Sequence, residues 1–118
     1  MSESIELMPF ARFQDELRHV ARFTTAAPAN ATTSPLDAVV KAIRQNPALS
    51  QARLLTRILA AYIGRQVSFR SAEVAAFDKQ HLALLVALMN MHDAGPLNET
   101  DWVRAADDAD AAQRDIDG

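Results

Sequence analysis

The sequence predicts an all-α protein, a bundle of five to six short helices around a buried central helix at about residues 79–92. The strongest observation is an apolar run at residues 82–91, which has almost no polar face when plotted on a helix. A helix that is apolar all round must be buried, and this one is far too short to cross a bilayer core of roughly 30 Å. Other segments repeat apolar residues at helical spacing and begin with residues typical of helix N-termini.

Composition narrows the class of protein further. A chain of 118 residues, 49% of them apolar, has the size and apolar content of one globular domain. It has no cysteine, which excludes disulfides, thiolate nucleophiles and cysteine metal sites and fits a reducing compartment. The N-terminus lacks the basic region and apolar run of a secretory signal, so we expect a cytoplasmic protein with no membrane partner.

The first region, residues 1–33, is predicted to hold one helix followed by a flexible linker. Its apolar residues recur in steps of three, four and three, which is the spacing of one helical face. These residues are Phe10, Phe13, Leu17 and Val20. Pro9 suits the first turn, and residues before position 8 are expected to fray. The small and polar residues at 24–33 predict a linker, so the helix either folds back on its own domain or exchanges onto a second copy.

The second region, residues 34–104, is predicted to be the helical core domain. Ser34 caps its first helix, which ends near Asn46 because a proline follows. Ser50 is expected to cap the next helix, and Gly64 is a natural end for it. The residues expected to face inward are Leu36, Val39, Val40 and Ile43 in the first of these helices and Leu54, Leu55, Ile58, Leu59 and Tyr62 in the second.

A short extended segment is predicted at residues 66–70, where polar and apolar side chains alternate. A helical turn at 71–76 follows, and Asp78 is expected to cap the central helix. Asn90 is the polar residue within that apolar helix. It either bonds to a neighbouring backbone, fixes the register of an interface or faces solvent at the helix end.

The last helix is predicted to begin at Asn98, after a stop at Gly95-Pro96, and to dock through Trp102. From residue 105 onward alanine and aspartate dominate, and too little apolar surface remains to offset the entropy of ordering the chain. We therefore expect the third region, residues 105–118, to be an acidic and frayed tail.

Charge is distributed unevenly along the chain. Residues 38–72 contain basic residues and no acidic one, whereas the end of the chain is strongly acidic. The basic residues are Lys41, Arg44, Arg53, Arg57, Arg65 and Arg70. We expect the two segments to pair with each other, either within one chain or between copies.

Residues 35–64 have the proportions of a helix-turn-helix, which raises the hypothesis of a DNA-associated regulator. The candidate phosphate contacts are Lys41, Arg44, Arg53 and Arg57. The helical projection predicts that Arg53 and Arg57 face water. Against this hypothesis, Gln51 points with the apolar arc, the turn has no glycine, and the acidic tail would oppose DNA.

Few residues in the sequence point to a metal-binding or catalytic site. His81 and His92 lie on nearly one face but about 16 Å apart along the helix, so a shared metal ion would need His19 or a second subunit. They are instead expected near Asp78 and at the negative end of the helix, respectively. The acidic cluster at 107–110 lacks the glycine and bidentate glutamate of a calcium loop. No nucleophile, base and orienting residue have recognisable spacing, so we predict no metal, no cofactor, no catalytic residue and no enzymatic activity.

A pattern of aliphatic, aromatic and glycine positions runs from residue 50 to residue 78. It comprises Ser50-Gln51-Ala52-Arg53, residues 59–64 with Tyr62 and Gly64, Val67-Ser68-Phe69, Val74, Phe77 and Asp78. In this pattern the chain resembles a domain-of-unknown-function family of small proteins on bacterial plasmids and integrative elements. It departs from the family at Ile63, where Asn is expected, and at Arg70, where Asp is expected. The resemblance implies a mobile-element accessory protein and carries over no functional residue.

The leading hypothesis is a non-enzymatic helical protein-interaction module that forms a homodimer, with any further protein partner unidentified. The first helix and the central helix together carry more apolar surface than a small bundle covers. The candidate interface residues are Phe10, Phe13, Leu17 and Met89. The DNA-associated regulator is the alternative.

Overall fold

A computed structural model describes residues 7–25, 34–94 and 98–117, with side chains described as far as residue 115. In chain order the elements are strand β1 (Leu7–Met8), helix α1 (Phe10–Val20), helix α2 (Pro35–Gln45), helix α3 (Ser50–Tyr62), strand β2 (Phe69–Arg70), a 3-10 helix (Ser71–Ala75), helix α4 (Lys79–Asp93) and helix α5 (Glu99–Asp117). The predicted all-α bundle of short helices is confirmed. Within the described residues, no helix is both long enough and apolar enough to cross a bilayer.

Side-chain caps fix the starts of two helices as predicted. The Ser34 hydroxyl accepts a hydrogen bond from the backbone N–H of Asp37 at 3.1 Å, which begins α2. The Asp78 carboxylate accepts one from the backbone N–H of His81 at 2.8 Å, which begins α4. The prediction of Ser50 as a cap is wrong by one residue. The carbonyl of Leu49 already accepts the N–H of Arg53 at 3.1 Å, so Leu49 takes the cap position.

Glycine ends α3 where the sequence predicted. Gly64 has φ +85°, a left-handed conformation that residues with a Cβ adopt only with strain. In this conformation the N–H of Gly64 reaches the carbonyl of Ala61 at 3.1 Å, and that of Arg65 reaches the carbonyl of Ala60 at 3.0 Å. These bonds satisfy the last carbonyls of the helix and turn the chain toward β2.

The predicted extended segment is confirmed in its last two residues. β2 pairs with β1 in antiparallel register, with Leu7 opposite Arg70 and Met8 opposite Phe69. Met8 and Phe69 are 2% and 0% exposed, so this small sheet ties the start of α1 to the core. The prediction that residues before position 8 fray is wrong at Leu7, which pairs in β1. The residues before Leu7, most of the predicted linker and the predicted stop at Gly95-Pro96 lie outside the described residues.

Helix α3 has more buried residues than α4, the predicted central helix. It has buried residues along almost its whole length, whereas α4 leaves Leu84, Val86 and Met91 only partly buried. The buried residues of α3 are Ala52, Leu54, Leu55, Thr56, Ile58, Leu59 and Ala60. Small alanine side chains let neighbouring helices approach closely. The hydroxyl of Thr56 donates to the carbonyl of Ala52 at 2.9 Å, which removes the cost of burying a polar group.

The predicted frayed tail is instead an ordered helix. α5 runs to Asp117 and packs against α2 and α3. Trp102 docks as predicted at 3% exposure, but the alanines that follow at 105, 106 and 109 are buried as well. The prediction failed because alanine adds little apolar area, yet one alanine face allows close helix contact over several turns.

The three predicted regions share one hydrophobic core. A single cluster of buried residues extends from Met8, Phe13 and Leu17 through α2, α3 and α4 to Ala109 in α5. The predicted stripe of the first helix ends at Leu17, because Val20 is 46% exposed. All four residues predicted to face inward from α2 are buried, as predicted.

Candidate interaction surfaces

The residues predicted to form an interface are largely used inside the chain. Phe13, Leu17 and Met89 are 0%, 1% and 2% exposed. Phe10 is half-buried, with its ring 4.9 Å from that of Tyr62 and edge-on to it. The hypothesis assumed that α1 and α4 kept uncovered apolar faces. α1 and α4 pack within the chain, which buries Phe13, Leu17 and Met89 and leaves Phe10 partly exposed.

Apolar surface remains at the end of α1, on residues that the interface prediction missed. The side chain of Phe23 is 88% exposed and that of Val20 is 46% exposed. The guanidinium of Arg22 lies over the ring of Phe23, 5.0 Å from its centre. We call the exposed side of this helix and the turn after it the outer face of α1. It consists of Arg12, Asp15, Glu16, His19, Val20, Arg22 and Phe23.

A shallow depression of about 340 Å³ lies on the outer face of α1, between that helix and the 3-10 helix. Val20 and Val74 form its apolar part. Arg12, Asp15, Glu16 and His19 surround them. The Arg12 Nε atom lies 3.6 Å from the Glu16 carboxylate, so these two rim charges already compensate each other. The face therefore presents both an exposed aromatic ring and a depression.

Arg57 is only partly exposed, whereas the helical projection predicts that it faces water. Its guanidinium donates to both carboxylate oxygens of Glu73, at 2.6 and 3.1 Å, and to the carbonyl of Ser68. It also lies over the ring of Phe69, 5.0 Å from the ring centre. Burial of Glu73 works against its ionisation, but the hydrogen bonds from Arg57 and from the backbone of Arg70 outweigh it and lower the pKa of Glu73. Arg57 thus joins α3 to the segment that carries β2.

The basic middle and the acidic end pair within one chain. Arg65 donates to Asp107 at 2.7 Å and to Asp110 at 2.6 Å. Arg44 lies 3.5 Å from Asp108. The hydrogen bond to Asp107 is the largest cause of a raised pKa of the Arg65 guanidinium. Of the two alternatives left open by the sequence, pairing within the chain is the one observed.

A larger groove of about 710 Å³ lies between α2 and α5. Its walls carry charges of both signs above an apolar floor. The basic lining residues are Lys41, Arg44 and Arg104, and the acidic ones are Asp37, Asp101 and Asp108. Because the signs balance, this groove is not a basic surface for nucleic acid.

The helix-turn-helix segment does not present α3 to the outside. Most of α3 is buried, and Ser50 and Arg53 are its exposed residues. Gln51 is half-buried, and its amide is bonded at both ends to Asp78, accepting from the backbone N–H at 2.7 Å and donating to the carboxylate at 3.3 Å. Lys41 and Arg53 remain exposed, while Arg44 and Arg57 are engaged with carboxylates.

The three histidines occupy separate places. The Nδ1 atom of His81 lies 2.8 Å from the Asp78 carboxylate, the predicted neighbour, and hydrogen bonds from His81 hold the pKa of Asp78 below its ordinary value. His92 lies in the last turn of α4, as predicted. His19 belongs to the outer face of α1. The residues that the structure describes contain no group of three or more acidic or histidine side chains arranged for a metal ion. Asn90, the polar residue of α4, is exposed, so of the three alternatives for this residue the structure shows that it faces solvent.

An aromatic cluster around Tyr62 joins four helices, and no periodic pattern in the sequence indicates it. The ring of His92 lies 4.2 Å from that of Tyr62 and 5.4 Å from that of Trp102. The Tyr62 hydroxyl accepts a hydrogen bond from Gln14 at 2.9 Å, and burial raises its pKa. This cluster is a packing contact between α1, α3, α4 and α5 rather than an open site.

Comparison of the chain with protein-family models, with curated proteins and with solved structures finds no match. The resemblance across residues 50–78 stays a prediction.

Proposed function

We propose that this chain is a non-enzymatic protein-interaction module that associates through the outer face of α1. The observation that supports the proposal is Phe23, an aromatic side chain that is 88% exposed beside the half-exposed Val20. Burying a side chain of this size in an interface contributes about 1.5–3 kcal/mol to the binding free energy, which strongly favours association. Aromatic residues with an arginine beside them are typical of the residues that dominate binding energy.

The partner in this proposal is first of all a second copy of the chain, so the module is a homodimer. The resemblance across residues 50–78 adds an expectation of context, an accessory protein of a bacterial mobile element. An enzymatic role is not proposed, because the groove between α2 and α5 carries three basic and three acidic side chains, of which Arg44 and Asp108 lie 3.5 Å apart.

The DNA-associated regulator remains the weaker alternative. It keeps the exposed Lys41 and Arg53, but the helix that would enter the groove of DNA is the most buried one in the bundle. Binding to random duplex DNA would favour this alternative over the interaction module if the binding disappears as salt rises and is weakened by Arg53→Ala.

The experiment is light scattering on a sizing column over a range of protein concentrations. We expect the wild-type chain to pass from monomer to dimer at concentrations on the order of micromolar, as befits a small interface. Phe23→Ser should abolish the dimer. Leu49→Ser is the matched control, because Leu49 is another exposed apolar residue, at 44%, on a different part of the surface.

Two outcomes would overturn the proposal. A wild-type chain that stays monomeric at every concentration removes the self-association. A dimer that Phe23→Ser and Leu49→Ser weaken equally would show that the association does not use the outer face of α1.

A further inference from the structure

We propose that the outer faces of two α1 helices pack antiparallel around a two-fold axis, so that Phe23 of each protomer fills the depression of the other. This inference rests on the proposed function and adds to it the orientation and the residues that face each other. In this arrangement the site is incomplete in one chain, because its aromatic ring comes from the other protomer.

The first step of the argument is that the outer face of α1 is complementary to itself. At about 100° per residue, positions 12, 16 and 19 of α1 fall within about 60° of one another, and Phe23 lies in the turn that follows Val20, the last residue of the helix. The exposed ring of Phe23 therefore lies three residues beyond Val20, which lines the depression together with Arg12, Glu16 and His19. A projecting group and a depression on one face are what a contact between two identical surfaces requires.

The second step is the register. The ring of Phe23 reaches the middle of the depression, near Glu16 of the other protomer, when the two-fold axis passes between His19 and Val20. The same register places Val20 opposite His19 of the other protomer. The apolar part of each depression, Val20 and Val74, then lies close to the axis, where water is excluded most completely.

The third step is charge, which distinguishes antiparallel from parallel packing. Asp15 on α1 and Arg22 in the turn after it are both exposed and lie seven residues apart in the chain. In the antiparallel register set by Phe23, Asp15 of each protomer comes opposite residue 24 of the other, two residues or about 3 Å along the axis from Arg22, a distance that the long arginine side chain can span. A parallel arrangement would place each charge level with its own copy and about 10 Å along the axis from the opposite charge, so the two charges would not pair.

The conformation of Arg22 is compatible with this pairing. One guanidinium nitrogen donates to the carbonyl of His19 at 2.8 Å, and the group lies over the ring of Phe23. These contacts hold the arginine beside the ring while leaving other N–H groups to meet a carboxylate of the second protomer. The ring and its flanking charge are therefore positioned together before association.

The experiment uses the absence of cysteine from the chain, which makes every introduced thiol unique. His19→Cys places a thiol beside the axis, and Arg12→Cys places one about 22 Å from its own copy in the antiparallel arrangement. After mild oxidation on a non-reducing gel, we expect His19→Cys to form a disulfide-linked dimer and Arg12→Cys to stay monomeric. Val20→Cys, also beside the axis, repeats the test in case the first variant folds poorly.

Each other outcome overturns the inference in a recognisable way. Linkage of both His19→Cys and Arg12→Cys would mean parallel packing. Linkage of neither, in a chain that is a dimer sensitive to Phe23→Ser, would overturn the antiparallel arrangement but leave the proposed function standing. Linkage of neither in a chain that is monomeric would overturn both.

Charge reversal tests the third step separately. Asp15→Arg and Arg22→Asp should each raise the dissociation constant of the dimer by about three- to tenfold, since two exposed ion pairs are lost per dimer. The double variant should recover most of the wild-type affinity, because the reversed charges again face each other. If the losses of binding free energy in the two single variants add up in the double variant, Asp15 and Arg22 do not meet across the interface.

Discussion

The environment of Arg57 in the structure differs from the environment that its position in the sequence predicts. In the sequence it belongs to a basic segment without acidic residues, and its helical position predicts exposure. In the structure it binds Glu73, the first acidic residue after that segment, together with the carbonyl of Ser68. The pairing closes a loop of 16 residues, so local periodicity does not reveal it.

The first prediction concerns this ion pair. Glu73→Gln should lower the free energy of unfolding at pH 7 by about 1.5–3 kcal/mol, since it removes a charged acceptor from a half-buried arginine. Urea denaturation followed by the fluorescence of Trp102, the single tryptophan, measures the change. Glu16→Gln is the matched control, because Glu16 pairs with Arg12 at an exposed position and its loss should cost less than about 0.5 kcal/mol.

The pH dependence of the same pair follows from its lowered pKa. The folded-state pKa of Glu73 lies below its ordinary value of 4.5, so the ionised group stabilises the fold above pH 4.5. That contribution is lost as the pH falls through the lowered pKa. The difference between the wild-type chain and Glu73→Gln should therefore shrink below pH 4.5, and a difference that stays constant there would contradict the assignment.

At the scale of elements, α5 is the clearest departure from the sequence prediction. Its composition, dominated by alanine and aspartate, resembles a solvated tail. The structure separates the two residue types, with Ala105, Ala106 and Ala109 buried against α2 and α3 and Asp107 and Asp110 paired with Arg65. Burial of the alanine face and neutralisation of the acidic face together account for the ordered helix.

The second prediction tests the packing of α5. Ala109→Leu should lower the free energy of unfolding by about 1–3 kcal/mol, because Ala109 is 0% exposed and the helix contact leaves no room for a larger side chain. Ala11→Leu, at an exposed position of α1, is the control and should change it by less than about 0.5 kcal/mol. Equal effects in urea denaturation would mean that α5 does not pack as described.

At the scale of the whole molecule, the small sheet and the aromatic contacts join both ends of the described chain to one core. Phe13 stacks on Phe69 with ring centres 4.2 Å apart, and Met8 is buried beside them through the pairing of β1 with β2. Tyr62 then connects this end to Trp102 in α5, with ring centres 5.1 Å apart. The chain should therefore unfold as a unit.

The third prediction follows from this shared core. Phe13→Ala should lower the free energy of unfolding by about 3–5 kcal/mol, since Phe13 is completely buried. The transitions seen by Trp102 fluorescence and by far-ultraviolet circular dichroism should shift together and remain coincident. A fluorescence transition that stays in place while part of the helical signal is lost earlier would mean that α1 unfolds independently of the rest.

The sequence by itself determined the helices and several of their ends. Apolar periodicity located α1 to α3, and a continuous apolar run located α4. The caps at Ser34 and Asp78 and the left-handed Gly64 depend on residues a few positions away. These features were predictable because their physical causes are local in the chain. The exposed position of Arg53 also follows from helical projection alone.

The tertiary structure decided which helix is most buried and which surface remains exposed. α3 has the most buried residues because it packs against α2 and α5 and, through Tyr62, contacts α1 and α4, and α5 became ordered because its alanines pack against α2 and α3. The apolar stripe of α1 turned inward as far as Leu17, which left Phe23 as the exposed ring on which the proposed interface depends. These outcomes depend on contacts between residues far apart in the chain, whose geometry is set only when all the helices have packed together.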